Sequence, residues 1–267
     1  MKKICLLLLV CLLAVASAYG RQQTEVVKSV SSFSVVNIVG AINVVFEQGG
    51  SYQVRLVGSV DDIDAVDVKV DGNSLNLQSK SVKTQSFGDV YVEMREDQRV
   101  ANVAVYVTAP DVKTFNLAGS GTLRTEKISS QSVVFNLAGS GQVDVKCLSA
   151  SSASFNVAGS GCMSLGNLKA KAVNLTVSGS GSLKANVDNA SRLSCSTVGT
   201  GDIYVEGTAD TYVKSTIGQS SISDSALKYG KKTESTVSNS VIYNGMNGSG
   251  FVRSERPRVV DGIVVNP

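Results

Sequence analysis

Histidine and tryptophan are absent from this chain of 267 residues, and proline occurs three times. Without histidine the commonest general base and the commonest transition-metal ligand are missing. Catalytic groupings of the Ser-His-Asp or Cys-His kind are therefore excluded. Cysteine is scarce too. Of five residues, Cys5 and Cys11 lie in an apolar leader, which leaves Cys147, Cys162 and Cys195. An odd number of thiols in an exported chain leaves at least one unpaired, so disulfides do not organise the fold. Charge is nearly balanced, with 25 Lys and Arg against 22 Asp and Glu. Removing Lys2 and Lys3 with the leader lowers the net charge from +3 to +1. A near-neutral chain without a basic cluster is a poor partner for nucleic acid or an anionic membrane. No metal and no cofactor is expected.

Residues 1–18 read as a secretory signal peptide. Lys2 and Lys3 precede an apolar run from Ile4 to Val15, and Ala16-Ser17-Ala18 is a small-residue cleavage signal. The run is too short for a permanent membrane helix. Cleavage is expected near Ala18, with a mature chain beginning at Tyr19. A lipoprotein signal at Cys11 is the weaker reading, because Val10 stands where a small residue is needed. No second long apolar run follows, so no transmembrane segment is expected in the mature chain. The protein is expected in the periplasm, at the cell surface or outside the cell.

What the chain has in quantity is glycine, at 25 residues, with frequent Val, Ser and Thr. This favours strands and tight turns. No segment after the leader carries sustained helical spacing of apolar residues. The glycines recur in a phrase: Phe115-Asn116-Leu117-Ala118-Gly119-Ser120-Gly121, Phe135-Asn136-Leu137-Ala138-Gly139-Ser140-Gly141, and Phe155-Asn156-Val157-Ala158-Gly159-Ser160-Gly161. Looser copies place Gly179 and Gly181, then Gly199 and Gly201, at the same points. Two degenerate copies follow around Ile217-Gly218 and Val237-Ser238. A fixed period of twenty residues marks a solenoid, in which each copy is one coil stacked on the last.

The first glycine of each copy gives a common origin. Four residues before it stand Phe115, Phe135, Phe155, Leu175 and Cys195, and two before it Leu117, Leu137, Val157, Val177 and Thr197. Four after it stand Leu123, Val143, Met163, Leu183, Ile203, Ile222 and Ile242. These columns share one parity and are expected to face the interior. The Gly-x-Gly pair is expected at a corner, where positive φ and close backbone approach are needed. Seven coils at about 4.8 Å each would make a rod of about 34 Å.

Before the array, Val36, Ile38, Gly40, Ile42, Val44 and Phe46 alternate at period two. Asp71-Gly72-Asn73 is a turn between two apolar stretches, Val103, Val105 and Val107 alternate again, and Lys80 to Arg99 reads as a polar stretch with a loop. The predicted layout is a signal peptide over 1–18, an irregular β region of the same domain over 19–110, regular solenoid repeats over 111–250 and a tail over 251–267.

Each motif has an ordinary structural explanation. A phosphate-cradling Gly-Ser-Gly loop would need a following helix, whereas each copy here leads into another strand. Gly199-Thr200-Gly201-Asp202 resembles a calcium β-roll, but that repeat has period nine and an aspartate in each copy. The column of Asp202 instead holds Thr122, Gln142, Cys162 and Ser182. Polysaccharide-cleaving solenoids need paired carboxylates. Glu126, Asp144, Asp188, Asp202, Glu206, Asp210, Asp224 and Glu234 fall in scattered columns with no carboxylate ladder, and most read as solvated exterior residues. Asn116, Asn136 and Asn156 share a column in which amides can hydrogen-bond along the coil axis. Cys195 replaces an aromatic and reads as a small buried hydrophobe.

The Phe-Asn-Leu-Ala-Gly-Ser-Gly phrase resembles the head GIN domain of auto-transporter adhesins. The likeness extends to Phe33, to Ile38-Val39-Gly40-Ala41-Ile42-Asn43-Val44, and to Val105-Tyr106-Val107-Thr108-Ala109-Pro110. It implies an all-β, right-handed parallel β-helix-like fold in an exported protein of the Bacteroidetes type, and a role in adhesion. It assigns no catalytic or ligand-binding residue. No membrane-barrel segment precedes Pro267, so the chain is not expected to be a self-contained autotransporter. The first functional reading is a non-enzymatic binding protein that presents a solenoid face to a glycan or to an envelope or host protein. An envelope scaffold without a ligand is the alternative, and a polysaccharide-active enzyme is the third.

Overall fold

The structure, a computed structural model, describes residues 23–80, 84–87, 90–93, 102–237, 258–260 and 263–265. The expected signal peptide, Cys11, Ile242 and most of the tail lie outside the described residues. The chain forms a β-solenoid of about six turns with a spacing of about 20 residues.

The regular coils are β11 (Thr122–Gly139), β12 (Gln142–Gly159), β13 (Cys162–Gly179), β14 (Ser182–Gly199), β15 (Asp202–Gly218) and β16 (Ser221–Val237). Each pairs in parallel with the next, and equivalent residues face one another, as in Phe135 with Phe155 and Gly139 with Gly159. The β11–β12 ladder skips one residue at Glu126/Lys146 and one at Gln131/Ser151. With the glycine turn, these breaks bend each coil at three corners.

The buried positions show why the coil closes. In β12 they are Val143, Val145, Leu148, Ala153, Phe155 and Val157. Parity changes across each ladder break, so residues of both parities point inward around one coil. The three apolar columns expected from the repeat are inside. The columns headed by Val145, Leu148 and Ala153 join them, and period-two counting from the glycine misses Leu148 because the corners on either side of it shift the phase. The ring of Phe135 lies between Phe115 at 4.6 Å and Phe155 at 5.5 Å, both nearly parallel to it.

Glycine is required at the first corner position. Gly139 has φ +112°, and a Cβ there would sit 2.6 Å from the Gly119 carbonyl oxygen of the coil below. Backbone pairing continues around the bend, with the Ser140 N–H donating to Gly119 O and the Gln142 N–H to Gly121 O, each at 3.0 Å.

The N-terminal region is built into the same sheet. Strands β1 (Thr24–Ser29), β2 (Val35–Val39), β3 (Asn43–Gln48), β4 (Gln53–Gly58), β5 (Val66–Asp71), β6 (Ser74–Ser79), β9 (Ala104–Ala109) and β10 (Thr114–Gly119) all belong to it. Strand β2 pairs in parallel with β10, and β3 with the start of β11. Gly40, with φ +104°, is thus a corner glycine like those of the array. The alternation from Val36 to Phe46 is not one straight strand; it bends at Gly40. Antiparallel strands then close this end, β5 against β6 and β4 against β1 and β9. Where β11 has no preceding coil to pair with, a side chain substitutes: the Gln48 amide donates to Ser129 O and accepts from the Ser129 N–H, both at 2.8 Å.

Two features depart from the sequence expectation. A short helix, α1 (Val60–Asp64), interrupts the strands. Ser59 caps it by accepting the Asp62 N–H at 3.2 Å, and Asp61 and Asp62 favour its positive end. Five residues are too few for an apolar period to show. Within the polar stretch after Lys80, β7 (Thr84–Phe87) and β8 (Val90–Glu93) form an antiparallel pair.

Candidate functional site

The repeat residues singled out in the sequence form the scaffold. Phe115, Phe135 and Phe155 are core rings. Gly119, Gly139, Gly159, Gly179 and Gly199 have φ between +112° and +126°. At Gly121, Gly141, Gly161, Gly181 and Gly201 the constraint is space, since a Cβ would strike the carbonyl oxygen of the residue one coil below. These side chains are consumed by packing and face no open cavity.

The acidic residues fall into two groups. Asp144 pairs with Lys146 at 3.6 Å, and Asp188 with Lys169 at 3.9 Å, both on the outside; Glu126 and Asp210 are exposed. Asp224 is half-buried, whereas Glu234 is exposed as the sequence suggested. Glu234 continues a core column into the last described coil, because shortened turns carry the Phe115 column through Cys195 to Lys214 and then Glu234. Counting four back from Gly218 and from Ser238 finds Lys214 and Glu234, so the signal for this column was present in the sequence.

The apolar core therefore ends in a charged layer. Lys214 lies 3.6 Å from Asp224 and 3.5 Å from Glu234; Lys232 lies 3.2 Å and 2.9 Å from the same carboxylates. Burial raises the pKa of Asp224, but Lys232 and Lys214 outweigh it and hold the carboxyl below its ordinary value. Lys232 likewise lowers Glu234, and Glu234 raises Lys232. Next to this layer, burial pushes the Cys195 thiol up to about 12, and it pushes the Tyr212 phenol well above its usual range. Cys195 stays a thiol at neutral pH and is no nucleophile. The two cations pair with the two carboxylates, so the layer carries no net charge.

Among the described residues, no group of three or more Cys, Asp or Glu is placed to hold a metal ion. Cys147 and Cys162 are exposed free thiols, and Cys195 is a buried one. Among the described residues, the outside carries shallow depressions. One of about 190 Å³ is lined by Lys184, Tyr204, Glu206 and Ser223, and one of about 200 Å³ by Lys127, Cys147, Lys169 and Asp188. Both are smaller than the roughly 300–1,000 Å³ of small-molecule clefts.

The polar column on the longest face is more extensive than the repeat alone indicated. Asn37 donates to Asn76, Asn116 to Asn37, Asn136 to Asn116 and Asn156 to Asn136, each at 2.8 Å. Asn37 and Asn76 lie outside the regular period, so only strand pairing reveals them.

These features define a repeat-built β-solenoid with an apolar core running through its described coils. The family described as "Putative auto-transporter adhesin, head GIN domain" matches residues 32–223 and 164–240, and the chain belongs to it. A crystal structure titled a putative adhesin from Bacteroides fragilis is similar at 19% identity and TM-score 0.61, covering 82% of this chain and 97% of that one. A second putative adhesin, from Parabacteroides distasonis, gives 18% identity and TM-score 0.62, covering 82% and 94%. A third, from Parabacteroides merdae, gives 14% identity and TM-score 0.61, covering 81% and 93%. At such identities the likeness is one of fold. No curated protein matches the chain.

Proposed function

We propose that the protein is an exported, non-enzymatic binding or adhesion protein that presents its solenoid surface to a glycan or to an envelope or host protein. The carrying observation is the division of the molecule. The repeat's distinctive residues are spent on core and corners, and the titratable cluster at the end of the core neutralises itself. What is left to contact a partner is the regular outer surface. Family membership supports the adhesive reading, and the leader supports export. No helix among the described residues is long and apolar enough to cross a membrane.

The test uses the mature chain on glycan and matrix-protein arrays, beside a panel of polysaccharide hydrolase and lyase assays. Saturable binding without turnover is expected. Turnover abolished by one acidic substitution would overturn the reading in favour of an enzyme. Silence on every array would favour a scaffold. Protease treatment of intact cells distinguishes a surface location from a periplasmic one, and an N-terminus near Tyr19 by mass spectrometry checks export.

A further inference from the structure

The longest face of the solenoid carries a broad uncharged band. It is formed by the outward positions five, three and one residues before each corner, across β2 and β10 to β16. Every one of these positions holds Val, Ile, Ala, Asn, Ser or Thr, from Val35 to Val237. The same positions of β6 hold Ser74, Asn76 and Gln78. The other two faces of the coils carry the charges, among them Arg124, Asp144, Lys184, Lys127 and Lys169. A near-neutral protein with 47 charged residues in its sequence thus keeps one broad band free of them. Water alone gives no reason for this, since exposed sheet faces are ordinarily mixed with charge.

Large apolar side chains are also exposed on this face, and they stand in one column. Val39, Val198, Ile217 and Val237 all immediately precede the corner and are 42–50% exposed. Charge returns at the borders. Asp67, Lys69 and Asp71 of β5 stand beside Gln78, Asn76 and Ser74 at one end, and Arg192 and Lys231 lie along one side. An uncharged centre within a charged rim is the anatomy of a protein interface.

We propose that a second copy of this chain docks on the uncharged face. Two arguments favour a second copy over another partner. The first is size. Nine strands at about 4.8 Å give a length of about 38 Å, and five to six residues at about 3.3 Å give a width of 16–20 Å. Two such faces bury about 1,200–1,500 Å², within the range of specific protein interfaces. The second is self-complementarity. An isologous pair sets a surface against itself, which brings like charges together on a charged face and brings none together here. The strand spacing of one copy also equals that of the other, so the ridges of small side chains mesh along the whole length. A neutral glycan is the less favoured occupant: no aromatic ring stands on the face, and the asparagine amides already bond one another.

The experiment is light scattering coupled to size exclusion, from about 1 to 100 µM, on the mature chain and three variants. Ala138→Arg and Asn174→Lys each place one charge at an exposed point near the middle of the face. Ser164→Arg places one on a neighbouring face. The wild type and Ser164→Arg are expected to be dimers, and the two face variants monomers or dimers weakened at least tenfold. Thermal melts within a few degrees of wild type show that the variants fold. A wild-type monomer at 100 µM overturns the proposal, and so does a dimer that both face variants leave intact. A monomer that binds a neutral polysaccharide, with binding lost in Ala138→Arg, overturns it in favour of a glycan surface. Array binding by a monomer defeats this proposal alone. A dimer silent on every array defeats the proposed function alone.

Discussion

At the scale of single residues, neighbours one coil away decide what each position tolerates. Phe135 is wholly buried between two parallel rings, so Phe135→Ala removes a core aromatic and both of its stacking contacts. A loss of about 3–5 kcal/mol is expected in denaturant unfolding. A change below about 0.5 kcal/mol would mean that the column packs elsewhere. Gly139 fails differently when replaced. Its φ of +112° strains any L side chain, at a cost of roughly 1–3 kcal/mol. A Cβ would also press on the Gly119 carbonyl, and no rotamer change moves a backbone oxygen. Gly139→Val should therefore lower the melting temperature more than Gly139→Ala does, and both should lower it. A neutral valine variant would place Gly139 on ordinary extended strand.

At the scale of the element, coils differ in how their interiors end. Coil β16 rests on a charged layer where β12 rests on aromatic and aliphatic side chains. Asp224 and Glu234 are held below their ordinary values of 3.8 and 4.5. Groups whose pKa falls on folding add stability above those values and lose it as pH drops through the folded value. Lys232 is raised above 10.5, so its contribution is present below that pH and lost as pH rises through the folded value. Hydrogen exchange in Ser221–Val237 should therefore accelerate relative to β12 when pH is lowered from 7 to 3, after correction for intrinsic rates. Equal protection ratios at the two pH values would show that the ion pairs do not hold the coil. The asparagine ladder makes a complementary prediction. Asn136 donates to Asn116 and accepts from Asn156. Asn136→Asp sets a carboxylate oxygen against the Asn116 oxygen and costs one hydrogen bond, about 0.5–1.5 kcal/mol, with further cost from burying charge. The deficit should shrink below pH 4, and a deficit independent of pH would remove the carboxylate as its cause.

At the scale of the whole molecule, stability should behave as a chain of nearest-neighbour interfaces. Deleting residues 142–161 removes one full coil and sets the Phe135 coil directly against the Leu175 coil in unchanged register. That variant should fold into a shorter rod, with the strand signal in circular dichroism retained and a cooperative melt at lower temperature. Deleting residues 142–151 removes half a coil, breaks the corner pattern and should abolish the cooperative melt. If both deletions behave alike, the coils are not independent units.

The sequence by itself determined the repeat, the corner glycines and three of the core columns, because a strict period of twenty brings identical residues into register whatever the details of the bend. It also held Lys214 and Glu234 in the Phe115 column for anyone who followed the shortened copies back from Gly218 and Ser238. The tertiary structure decided the rest. Corners shift the inward parity, so the column of Leu148 cannot be read from alternation. Pairing between distant strands placed β2 and β3 in the solenoid and carried the asparagine ladder to Asn37 and Asn76, 39 residues apart in the chain. The uncharged face belongs to this second group. Its residues are scattered singly along the sequence between buried neighbours, and only stacking at strand spacing makes them one surface.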